Sequence, residues 1–145
     1  MNIYDIATNE IRRFNRFYTV TMGLLDSSCY FDTEYSLAEI RILFEIHLRK
    51  TCIQNDIVKN LHIDKGYLSR IIKNFCKNGL IEKQKSDRDK RKICLVLTEK
   101  GNQETERLIE LTNLQIKTKI SKISSEQCTD LCSAMNTMIS ILGGE

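Results

Sequence analysis

The chain has 145 residues, 41% hydrophobic and 28% charged, which suits one domain with a buried core. Its 22 Lys and Arg nearly balance 19 Asp and Glu, for a net charge of +3, so any basic surface must come from local clustering. With no Pro and six Gly it lacks the turn punctuation of a strand-rich sandwich, and no run of about 18 apolar residues is present to span a membrane.

Near the N-terminus, Ile3, Ile6, Phe14, Phe17, Tyr18, Met22 and Leu25 recur at helical spacing. They predict a long first helix over residues 2–25, with aromatics on a side that must meet a partner. The first residues carry no apolar segment of signal-peptide type, and the protein is read as cytoplasmic. Residues 26–35, DSSCYFDTEY, are polar and form a linker. Ser36 opens S-L-A-E, a capping box that starts a helix running to about Leu48, with Leu37, Ile40, Leu43, Phe44 and His47 as its inner stripe. RKTC is a break or a very short strand. A third helix over residues 53–61 buries Ile53, Ile57 and Leu61.

The next run, D-K-G-Y-L-S-R-I-I-K-N-F-C-K-N-G, reads as a fourth helix. Asp64 is a good N-cap, because its carboxylate can accept from free amides of the first turn. Asn78-Gly79 supplies a left-handed stop. At 100° per residue, Lys65, Gly66, Ser69, Arg70, Lys73 and Lys77 fall within one arc of about 140°. Leu68, Ile71, Ile72 and Phe75 fill the opposite arc. A basic outer face is often only a solvated face. Its neighbours decide between that reading and DNA.

Residues 80–85 and KICLVL read as two strands around the charged loop SDRDKR, a hairpin. Thr98 caps a fifth helix that runs to about Lys122. Ser124 or Ser125 caps a sixth, where Cys128, Leu131, Cys132, Met135, Met138, Ile139 and Leu142 form an apolar seam. Helix, helix, helix and hairpin, with a tight turn between the third and fourth helices, is the winged helix-turn-helix plan. The fold expected is mainly α with a small β-hairpin wing. A winged core at 36–98 is flanked by dimerisation helices within 1–35 and 99–145.

Asp89-Lys90-Arg91 and Leu97-Thr98-Glu99-Lys100-Gly101 match the D-x-R and L-T-x-x-G that mark the wing of the MarR family of transcriptional regulators. D-K-G-Y-L-S-R, ending in N-G-L-I, is similar to that family's recognition helix and following strand. The resemblance covers residues 37–101. It implies a homodimer, joined by helices from both chain ends, on double-stranded DNA. Two-fold symmetry then implies a near-palindromic operator with half-sites about one DNA turn apart. On this reading Arg70 pairs with guanine, and Ser69 reads a base or holds a phosphate. Lys65, Lys73 and Lys77 contact phosphates. Arg91 near the wing tip enters the minor groove, and Arg88 and Lys90 add phosphate contacts. Asp89 is unfavourable near phosphate if free, so it is expected to hold an arginine in a bidentate pair.

The resemblance also implies control, commonly repression, relieved by a small aromatic compound or an oxidant. Phe14, Phe17, Tyr18, Tyr30, Phe31 and Phe44 are the candidate lining of an effector pocket. Cys29 is the candidate redox residue, although no nearby Lys or Arg lowers its pKa. The six cysteines contain no C-x-x-C pair and read as free thiols. Cys128 and Cys132 lie along the last helix's seam and are expected to be buried. The histidines His47 and His62 read as core or surface residues, so no metal and no cofactor is expected. The chain has no Gly-rich phosphate loop, no H-E-x-x-H and no G-x-S-x-G, so it does not read as an enzyme. The competing reading is a winged-helix module that binds protein without sequence-specific DNA binding; the basic outer face argues against it.

Overall fold

Asn2 and Asp5 exchange side-chain-to-backbone bonds of 3.0 and 3.2 Å, and this capping box starts α1 (Ile3–Thr21). The structure, a computed structural model, describes residues 1–25, 30 and 33–143. It divides into two compact units, Met1–Leu111 and Thr112–Glu145.

In the first unit, α1 buries none of its residues. The Ser36–Glu39 capping box starts α2 (Leu37–Arg49), as its sequence predicts. The buried arc of α2 differs from the expected stripe. Ile40 and Leu43 are buried, but so are Ile42 and Ile46, while Leu37, Phe44 and His47 sit at the margin. The arc is rotated because α2 packs on two sides, against α3 (Gln54–Leu61) and against β3 (Ile93–Leu97).

RKTC ends in a two-residue strand, β1 (Cys52–Ile53). It pairs antiparallel with β3, so the hairpin of β2 (Ile81–Lys85) and β3 becomes a three-stranded sheet in the order β1-β3-β2. His62 takes the left-handed conformation at φ 51 and makes the tight turn after α3. Asp64 caps α4 (Lys65–Lys77) by accepting from the Tyr67 amide at 2.9 Å. Leu68, Ile71, Ile72 and Phe75 are buried, each stabilising the core by about 1.5–3 kcal/mol. Along β2 only Ile81 is buried, and along β3 only Leu95, so the hairpin runs out of the core into solvent.

Gly79 closes α4 at φ 75. Thr98 then ties that end to α5 (Glu99–Lys119). Its amide donates to the Leu80 carbonyl at 3.0 Å, and its hydroxyl donates to the Gly79 carbonyl at 2.6 Å. The same hydroxyl accepts from the Gly101 amide at 2.9 Å, and Lys100 Nζ reaches the Asn78 carbonyl at 3.0 Å.

The boundary between the units falls within α5. The second unit contains α6 (Ser125–Ile141), started by a Ser124–Gln127 capping box. No residue of α6 is buried. Leu131, Met135, Met138 and Ile139 are exposed. The expected burial of Cys128 and Cys132 is corrected accordingly: Cys128 is half-buried and Cys132 exposed, because the described residues of this unit do not enclose the seam. No helix among the described residues is long and apolar enough to cross a membrane.

Candidate nucleic-acid interface

Burial of the apolar side of α4 fixes which side faces out. Lys65, Gly66, Ser69, Arg70, Lys73 and Lys77 are all exposed. Arg70 leans back toward the helix start, as long helical side chains do. Its guanidinium carbon lies 5.9 Å from the Tyr67 ring centroid, a cation–π distance. One of its terminal nitrogens lies 3.9 Å from where a Cβ would stand on Gly66. That is ordinary contact; the tighter neighbour is the capping carboxylate, with Asp64 Oδ2 3.2 Å from the same position.

Ser69 has a partner the sequence did not reveal. Gln54, the first residue of α3, donates from Nε2 to Ser69 Oγ at 2.6 Å. Gln54 carries no charge and is fifteen positions away in the chain, so neither patterning nor motif singles it out. The only available signal is positional: the start of α3 lies beside the start of α4 in a helix-turn-helix.

In the wing, Ser86 Oγ accepts from the amides of Arg88 and Asp89 at 3.3 and 3.4 Å. Asp89 holds Arg91, but not by the expected bidentate pair. A single oxygen, Oδ1, accepts from the Arg91 amide at 3.0 Å and from Arg91 Nε at 3.3 Å. The two residues are so close along the chain that the backbone N–H occupies the same oxygen as the side chain. The Arg91 side chain is 92% exposed, so this ion pair contributes little to stability and acts on orientation.

A hollow of about 390 Å³ joins these parts. Lys65 and Ser69 line it from α4, Gln54 and Asn55 from α3, and Arg91 and Lys92 from the wing. Arg88 does not join them. It lines a separate hollow with Thr51, Gln84 and Cys94. Lys90 is exposed in the wing loop.

Phe14 and Tyr18 stack on α1 with centroids 5.3 Å apart, and Phe17 is exposed. Tyr30 is buried, and burial raises its pKa against the opposing effect of Arg41. Phe44 packs half-buried against the core. A hollow of about 510 Å³ lined by Leu24, Leu37, Leu61, Ile63 and Tyr67 involves none of them. Phe31 and Cys29 lie outside the described residues.

Cys52 is buried, and burial pushes its thiol up to about 11, with Asp56 adding to the shift. Among the described residues no group of three or more His, Cys, Asp or Glu is placed to hold a metal. His47 Nδ1 is buried without a hydrogen-bond partner among those residues, and His62 is exposed.

Residues 35–93 match the sequence profile of the MarR family. A transcriptional regulator of Clostridium symbiosum, BilQ, is 29% identical over 72 residues, 50% of each chain. The organic hydroperoxide resistance transcriptional regulator of Bacillus subtilis is 30% identical over 84 residues, 58% of this chain and 56% of that one. The chain thus spans about half the length of the curated relatives it matches. A mutant MarR from E. coli, solved in complex with operator DNA, superposes with a TM-score of 0.70 at 17% identity, covering 96% of this chain and 99% of that one. By its matched segment and its wing motifs the chain is similar to the MarR family over residues 35–93, and its fold is that of the E. coli MarR structure.

Proposed function

We propose that the chain is a sequence-specific, DNA-binding transcriptional regulator acting as a homodimer. The observation that carries this reading is the shared hollow where Lys65 and Ser69 of α4 meet Arg91 of the wing. The superposition on a regulator solved with operator DNA supports it. In this reading α4 lies in the major groove, with Arg70 on a guanine edge and Lys65, Lys73 and Lys77 on phosphates. Arg91, oriented by Asp89, enters the adjacent minor groove, where narrow A·T tracts concentrate negative potential. Arg88 and Lys90 reach flanking phosphates.

The exposed apolar residues of α1 and of α6 are proposed to be covered by a second copy of the chain. The operator is then near-palindromic. The regulator works in the cytoplasm, represses, and is released by a small aromatic compound or by oxidation, with Cys29 the candidate thiol. The test is selection of bound duplexes from a random pool at near-physiological salt. A near-palindrome supports the proposal; no enrichment by folded, reduced protein contradicts it.

A further inference from the structure

The hydroxyl of Ser69 is held in an unusual way for a helix. Thr8, Thr19, Thr105 and Thr118 each donate to the carbonyl four residues earlier, the common choice for a helical hydroxyl. Ser69 instead accepts from Gln54 Nε2 at 2.6 Å. A hydroxyl has one proton and two lone pairs. With Gln54 donating to one lone pair, the proton must point away from Gln54. Ser69 lies on the exposed side of α4, in the hollow it shares with Lys65 and Arg91. Gln54 is itself anchored, because the preceding Ile53 is paired with Cys94 in the sheet.

We infer that Gln54 is a positioning residue that sets the orientation of Ser69, so that Ser69 turns its proton toward DNA and reads acceptor atoms ahead of donors. The inference rests on the DNA-binding reading and adds a residue and a rule to it. The acceptors available are guanine O6 and N7, adenine N7, thymine O4 and the phosphate oxygens. The group disfavoured is the cytosine amino group, which could use only the one lone pair that Gln54 leaves free.

The experiment selects duplexes from a random pool with the wild type, Gln54→Ala, Ser69→Ala and the double variant. Each selected site is then scanned with methylphosphonate linkages. These two arms separate a base acceptor from a phosphate. Ser69→Ala and Gln54→Ala should each lose about three- to tenfold of preference at the same base pair, or of affinity at the same phosphate, in each half-site. The double variant should lose no more than either single one, because the two side chains act as one unit. Gln54→Glu should redirect the preference rather than erase it. Its carboxylate would take the Ser69 proton and leave lone pairs facing the DNA, so cytosine gains at that position.

A merely structural role for Gln54 would weaken every position evenly, and that result would overturn the inference. So would fully additive losses, or a wild type that already prefers cytosine at the Ser69 position. A wild type that enriches nothing would overturn the DNA-binding reading itself, before any variant is compared.

Discussion

Gly101 lies with its backbone against the carbonyl of Leu80. A Cβ there would overlap the carbonyl oxygen and stand 2.9 Å from the carbonyl carbon. The Leu80 oxygen is also the acceptor for the Thr98 amide, so the crowded atom is part of the clamp joining the end of α4 to the start of α5. The L-T-x-x-G motif is thereby explained by packing. Thr98 ties the two helices together, and Gly101 lets them come close enough to be tied.

Gly101→Ala tests this account. Alanine is favoured over glycine within a helix by about 1 kcal/mol. Overpacking costs about 1–3 kcal/mol, and a displaced Leu80 carbonyl loses a hydrogen bond worth about 1 kcal/mol more. The clash wins. Urea denaturation should show a net loss of about 1–3 kcal/mol. A variant as stable as the wild type would mean that Leu80 can move freely.

For Asp89→Ala, charge and positioning predict opposite signs. Removing an acidic group beside DNA should tighten binding if charge were all that mattered. Losing the oxygen that holds the Arg91 amide and Nε should weaken it. Positioning is predicted to win, with binding to the selected duplex falling about threefold to tenfold. Fluorescence anisotropy would decide; tighter binding by the variant removes the role given to Asp89.

How much of this was legible in the sequence depends on whether a residue's role is local. Ser36, Asp64, Asn78-Gly79 and, in its bond to Gly101, Thr98 act within a few positions of themselves, and the caps and stops they predict are present. The buried side of α4 was also legible, because the helix has a single apolar face. Ile42 and Ile46 were missed because α2 is packed on two sides, and a single-stripe pattern has no place for them. Two residues of β1 carry no alternation to detect, and their pairing with β3 spans some forty positions. Gln54 was missed for the same reason: its partner is distant in sequence. Cys132 was misplaced because a helical seam shows that a side is apolar, not what covers it.

Cys52 makes stability depend on alkaline pH. Its folded value of about 11 lies above the ordinary thiol value of 9.0, so the native state holds the proton more tightly than the unfolded chain. Its contribution is fully present below the unfolded value and is lost as pH rises through about 9 to about 11. Cys52→Val should flatten this part of the stability profile. At pH 8 a maleimide should label Cys132 rapidly and Cys52 only on unfolding, as peptide mapping would show. Rapid labelling of native Cys52 would contradict its placement in the core.

The exposed apolar side chains of α1 should be buried in solution by self-association. Phe17 is 62% exposed in the single chain, close to the stacked Phe14 and Tyr18. Sedimentation equilibrium is expected to show a dimer, and Phe17→Glu to shift it toward monomer by placing a charge in an apolar contact. A wild type that stays monomeric at high micromolar concentration would count against the proposed assembly.

The most direct test of the account compares Arg70→Ala with Lys73→Ala on the selected duplex and on a scrambled one, each titrated across salt concentrations. Arg70→Ala should lose about 1–3 kcal/mol on the selected duplex and little more than a phosphate contact on the scrambled one, so discrimination collapses. Lys73→Ala should weaken both duplexes alike and make the salt dependence shallower by about one unit of slope. If the wild type bound the two duplexes equally, or if both variants weakened them equally, α4 would not be reading sequence.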